Sequence, residues 1–134
     1  MKRGQSIDDR QSFRFAFEYL YRKVKPRNGD SYEHSCFAKH YQNVAHCIEQ
    51  YADQGITTNM LWDILHDIPC TQVSVAIAFM KERDCLAVRR RRMFPASNFF
   101  WEDAMLELTA LKYNCHVEDL FWHQQKRMRE SSSR

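Results

Sequence analysis

Pro69 stands between two stretches that each carry the apolar spacing of a helix and that cannot be joined into one. Upstream, Leu61, Ile64, Leu65 and Ile68 form one apolar face behind Thr57 and Thr58, either of which can cap a first turn. Downstream, Val73, Ala76, Ile77 and Met80 repeat the pattern, and Thr71 is placed as the next cap. Proline lacks the amide hydrogen that an unbroken helix needs, and it biases the residue before it toward extended backbone. The segment is therefore predicted as two short helices joined by a tight turn at Ile68-Pro69-Cys70, with the second helix over residues 71–83.

The pattern changes after that helix. Leu86-Ala87-Val88 reads as a short strand leading into Arg89-Arg90-Arg91-Arg92, and Met93-Phe94 can return before Pro95 closes the unit. Thr57, the turn at Pro69, Thr71-Gln72-Val73-Ser74 and the tail from Met80-Lys81-Glu82-Arg83 to Leu86-Ala87-Val88-Arg89 together resemble the winged helix-turn-helix superfamily, over residues 56–92 within a unit expected to span 56–94. That superfamily often carries a glycine just before the strand, where this chain has Asp84-Cys85. The resemblance implies that residues 71–83 are a recognition helix, with Thr71, Gln72 and Ser74 near base edges in a major groove and Lys81 beside them. It also implies that Arg89, Arg90, Arg91 and Arg92 contact phosphates or enter a minor groove. The expected function is double-stranded DNA binding, as in a transcriptional regulator. The alternative is a protein-protein interaction module of the same fold without DNA binding.

Three glycines and three prolines in 134 residues are too few for a sandwich or barrel, which favours helices elsewhere. A helix is predicted from Phe13 to Val24 (apolar at Phe13, Phe17, Leu20 and Val24, with Ser12 as its cap), stopped by Pro26-Arg27-Asn28-Gly29-Asp30. A second is predicted over about Ser35 to Gln54. Another is capped by Ser97 or Asn98, with Glu102 and Asp103 in its first turn. A last amphipathic helix runs from His116 into Lys126-Arg127-Met128-Arg129. The expected class is mainly α: a winged helix-turn-helix core with a short β-wing, flanked by N- and C-terminal helices. One helical domain spans residues 11–128, with a flexible leader at 1–10 and a disordered tail at 129–134. Phe99, Phe100, Trp101, Phe121 and Trp122 suit core positions, and the flanking helices suit a homodimer.

Charge is segmented: residues 1–29 hold eight Lys/Arg against three Asp/Glu, and residues 81–92 hold six against two. Basic blocks gathered on one face would attract a polyanion. No apolar run approaches the ~20 residues of a membrane span. Five scattered cysteines, an odd number, read as reduced thiols of a cytoplasmic protein. Cys36-x3-His40 and His46-Cys47 lack the second paired element that zinc requires, so no metal or other cofactor is expected. No nucleophile–base pair or glycine-rich phosphate loop is recognisable, so the chain is not expected to be an enzyme.

Overall fold

The computed structural model describes residues 10–114 together with Val117. Along the chain run β1 (Gln11–Ala16), β2 (Tyr19–Val24), β3 (Tyr32–Phe37), α1 (Ala38–Gln50), α2 (Thr58–Ile64), α3 (Cys70–Glu82), β4 (Leu86–Arg89), β5 (Arg92–Pro95) and α4 (Phe100–Lys112). One antiparallel sheet has the order β1-β2-β3, and a second consists of β4 and β5. The protein is therefore mixed α/β, which corrects the expectation of a mainly α, all-helical chain.

The correction falls on residues before position 38. Where a helix over Phe13–Val24 was expected, a hairpin pairs Gln11 with Val24 and Ala16 with Tyr19. Its inward positions follow a period of two: Phe13 and Phe15 pack on the core, while Ser12 and Arg14 are exposed. A period of 3.6 fits the same stretch only if Phe17 is counted as apolar and inward, and Phe17 is 93% exposed at the hairpin tip. Phe17 and Glu18 both have positive φ, 52° and 68°, as a two-residue type I′ turn demands. Neither is the Asn or Gly that announces such a turn, so the sequence gives no turn signal there. The helix expected from Ser35 starts instead at Ala38, because Tyr32–Phe37 is the third strand, with Phe37 opposite Tyr19. The expected N-terminal flanking helix is thus absent. The leader up to residue 9, the tail and all but Val117 of the helix expected from His116 lie outside the described residues.

From Ile56 to Lys112 the expected elements are present with shifted bounds. The Thr57 side chain accepts from the Met60 amide at 3.1 Å and caps α2. Helix α2 is shorter than expected, ending before Leu65, while α3 begins at Cys70 with Pro69 rather than Thr71 at its N-cap position. At the far end of α3, Asp84 adopts φ 59°, its amide donates to Lys81 O, and the Cys85 amide donates to Met80 O at 2.9 Å. That pair of bonds is the Schellman end that glycine usually provides. Ile56 bridges Met93, so the β4–β5 hairpin is tied to the segment entering α2.

Helix α3 is the hub of the core. Val73, Val75, Ala76, Ile77, Phe79 and Met80 are all buried, which is more than one helical face can supply. One side packs on α1, α2 and β4; another packs on β2 and β3. Phe79 makes edge contacts with Phe13 of the sheet at 5.2 Å and with Tyr41 of α1 at 5.9 Å. The Tyr41 hydroxyl, wholly buried, donates to Ala104 O at 2.8 Å and pins α4 to the same centre. Among the described residues no helix is long and apolar enough to cross a membrane.

Two consequences are measurable. Gly55 has φ 80°, and a Cβ there would stand 2.5 Å from Cζ of Phe94. Gly55→Ala should lower unfolding free energy by at least about 2 kcal/mol in a denaturant titration; a loss below about 0.5 kcal/mol would contradict this packing. Cys36, Cys47 and Cys85 are buried whereas Cys70 is exposed. Burial pushes the Cys36 and Cys85 thiols up to about 12, with Glu107 and Asp103 adding to the rise at Cys85, and it raises Cys47 as well. The thiolate is the reactive form. Among these four cysteines, iodoacetamide at neutral pH should therefore label Cys70 in the native protein and the others only after denaturation, as read by peptide mass. Equal native labelling of Cys36 and Cys70 would contradict the burial.

Candidate nucleic-acid interface

Because α3 is covered on two sides, its outward surface is one narrow stripe. Thr71 and Lys81 are exposed, with Ser74 and Ala78 half-buried between them. Ser74, Ala78 and Lys81 lie in a groove of about 390 Å³, walled by Gln11 and Arg22 of the sheet and by Leu86 and Val88 of β4. Across the floor Arg22 Nε donates to Gln11 Oε1 at 2.8 Å, and Gln11 Nε2 donates to Glu82 Oε1 at 3.4 Å. Burial raises the Glu82 pKa above its ordinary range, outweighing Arg83, Gln11 and Arg22, which favour the charged form. Arg22 and Lys81 face Glu82 and Asp84 in this groove, so it has no net positive charge.

Gln72 does not join that stripe. Its Oε1 accepts from the Phe37 amide at 3.0 Å and meets His40 Nδ1 at 2.7 Å. The amide can only donate, so the shared atom is the oxygen and the His40 nitrogen facing it carries the proton. The side chain best suited by its chemistry to pair with adenine instead ties the start of α3 to the end of β3. Cys36 is buried in the core beside this junction.

The wing divides its arginines into two pairs. Arg89 pairs across the hairpin with Arg92. The Arg89 guanidinium lies 4.3 Å from the Phe94 ring centroid, in a second recess shared with Glu49 and Asp53. Arg92 Nη1 donates to Gly55 O at 3.2 Å and approaches Met60 Sδ at 3.8 Å. Arg92 thus ties the hairpin to the segment before α2, while Arg89 packs on a ring of its own hairpin. Arg90 and Arg91 form its tip at φ 52° and 67°, again a type I′ pair without glycine. Both are exposed, and among the described residues neither has a hydrogen bond or ion pair.

Of the residues singled out in the sequence, Ser74 and Lys81 share the groove, Thr71 lies at its helix's first turn, and Arg90 and Arg91 stand at the wing tip. Gln72, Arg89 and Arg92 make internal contacts. Gln11 and Arg22 of the groove wall were missed, because reading their segment as a helix hid the sheet that carries them. No protein family, curated protein or solved structure matches the chain.

Each non-glycine residue in the left-handed region costs roughly 1 kcal/mol or more, and such strain is concentrated at functional sites. Arg90→Asn with Arg91→Gly should raise stability by about 1 kcal/mol, measured as a higher denaturant midpoint at unchanged m-value. A lower midpoint would mean that the two arginines make stabilising contacts.

Proposed function

We propose that the protein binds double-stranded DNA through the tip of its β4–β5 wing, with α3 lying near the duplex rather than inserting deeply. The order α1, the Ile56 bridge, α2, α3, β4, β5 is consistent with the winged helix-turn-helix resemblance. The observation that carries the proposal is the pair Arg90 and Arg91, exposed, held in a strained turn, and without a protein partner among the described residues. Guanidinium groups so presented suit phosphates or the negative potential of a narrow minor groove. The stripe on α3 is walled by the sheet and the wing and carries balanced charge, so base reading by Thr71, Ser74 and Lys81 is secondary. Affinity led by phosphate contact is strongly salt-dependent and weakly selective for sequence.

Polarisation titrations with a labelled duplex distinguish the two arginine pairs. Arg90→Ala with Arg91→Ala should weaken binding and flatten the slope of log K against log salt by about two. Arg89→Ala with Arg92→Ala should act mainly on hairpin stability, with a smaller change in that slope. Unchanged affinity and slope in the tip variant sinks the proposal. So does the absence of duplex binding at 50 mM salt together with a defined protein partner, which would favour an interaction module. Lowering pH through the Glu82 range removes a negative charge beside Arg22 and Lys81, so duplex affinity should rise, not fall, on mild acidification.

A further inference from the structure

The sheet β1-β2-β3 covers α3 with one face and presents the other outward. On the inward face stand Gln11, Phe13 and Phe15 of β1 beside Leu20, Arg22 and Val24 of β2. The outward face alternates with them: Arg14 on β1, Tyr19 and Tyr21 on β2, Ser35 and Phe37 on β3. Tyr19, Tyr21 and Phe37 are half-buried yet are not among the aromatics packed on the core. Instead they contact one another. Tyr19 lies 5.3 Å from Phe37 and 6.2 Å from Tyr21, both tilted, and His40 meets Phe37 edge-on at 5.5 Å. The Arg14 guanidinium sits 3.9 Å from the centroid of Tyr21, and Nε and Nη2 of the same arginine donate to Glu33 at 3.3 Å.

From Arg14 through Tyr21 and Tyr19 to Phe37 the sheet thus carries a continuous strip of flat π-surfaces, with His40 of α1 edge-on at its end. Its outward charges lean basic: Arg14, Lys23 and, past the strand end, Lys25 stand against Glu33, which lies opposite Lys23 and bonds Arg14. Lys23 on the outward side of β2 and Lys25 beyond its end are exposed. A sheet-on-sheet or helix partner would be matched by large aliphatic side chains on this face, and the one aliphatic residue beside the rings is the small Ala16, opposite Tyr19. Flat aromatics and a guanidinium plane amid basic residues suit unpaired bases, which stack on the rings while the backbone meets the cations.

We infer that the outward face of the β1-β2-β3 sheet is a stacking surface for single-stranded nucleic acid. It lies on the side of the sheet opposite α3 and does not depend on the wing.

The test uses the full chain with a fluorescent oligothymidylate and, in parallel, oligouridylate of about 12 nucleotides at 50 mM salt. Tyr19→Phe should bind like the parent protein. Tyr19→Leu keeps an apolar strand residue but removes the ring, and should weaken binding roughly five- to a hundredfold. Circular dichroism confirms that the variant is folded; if it is not, Phe37→Leu is read in its place. The tip variant Arg90→Ala with Arg91→Ala should still bind the single strand, and Tyr19→Leu should still bind the duplex, so this inference and the duplex proposal fail separately. No single-strand binding, equal binding by the Phe and Leu variants, or loss confined to the tip variant overturns the inference. A dimer in light scattering that Tyr19→Leu dissociates, without oligonucleotide binding, overturns it in favour of self-association.

Discussion

Phe79 sits wholly buried between Phe13 of the first strand and Tyr41 of α1, and the rest of the architecture can be derived from what that placement requires. Helix α3 has buried side chains around most of its circumference, so a single neighbouring layer cannot keep it from water. Helices α1 and α2 cover one side together with β4; the three-stranded sheet covers the next. Removing a buried phenylalanine typically costs about 3–5 kcal/mol, a large share of the total stability of a domain of this size. The sheet is therefore a structural half of the molecule, and what remains visible of α3 is what these layers leave open.

That enclosure changes the meaning of the sequence pattern. In an exposed recognition helix, Gln72 at the second position would face solvent and a base edge. In this protein the sheet and α1 approach from that side, and the amide oxygen accepts from Phe37 and His40. Removing it would leave a backbone N–H without its partner, a cost of about 1–3 kcal/mol where water cannot replace it. The arginines divide for a related reason. Alternation along the hairpin turns Arg89 and Arg92 toward Phe94 and Gly55, and only the two turn residues point away from every neighbour described.

How much was legible follows from where local signals agree with tertiary ones. Thr57, Pro69 and the change of period after Met80 each have one local solution, and the helix pair and hairpin stand where they indicate. Asp84 is legible only in part: the end of the helix can be located, yet the sequence does not say that an aspartate will take the left-handed conformation there. Residues 11–37 mislead because Phe13, Leu20 and Val24 satisfy both periods, and the deciding residue, Phe17, is apolar but points to water. The missing signal was a turn sequence. The groove wall and the aromatic strip were lost with that hairpin, since both depend on cross-strand neighbours that no helical reading brings together.

The bond from the Phe37 amide to Gln72 begins on the strand residue whose ring belongs to the outward strip, and ends on the helix that lines the groove. The two surfaces therefore share a mechanical joint. A ligand that shifts the end of β3 pulls on the first turn of α3, and one that tilts α3 moves the amide of Phe37. Thermodynamic linkage makes any such influence reciprocal: whatever factor a ligand on one face imposes on affinity at the other must be returned in equal measure. Were a ligand to occupy each of these surfaces, the one glutamine between them would make the two a coupled pair, with occupancy of each legible at the other.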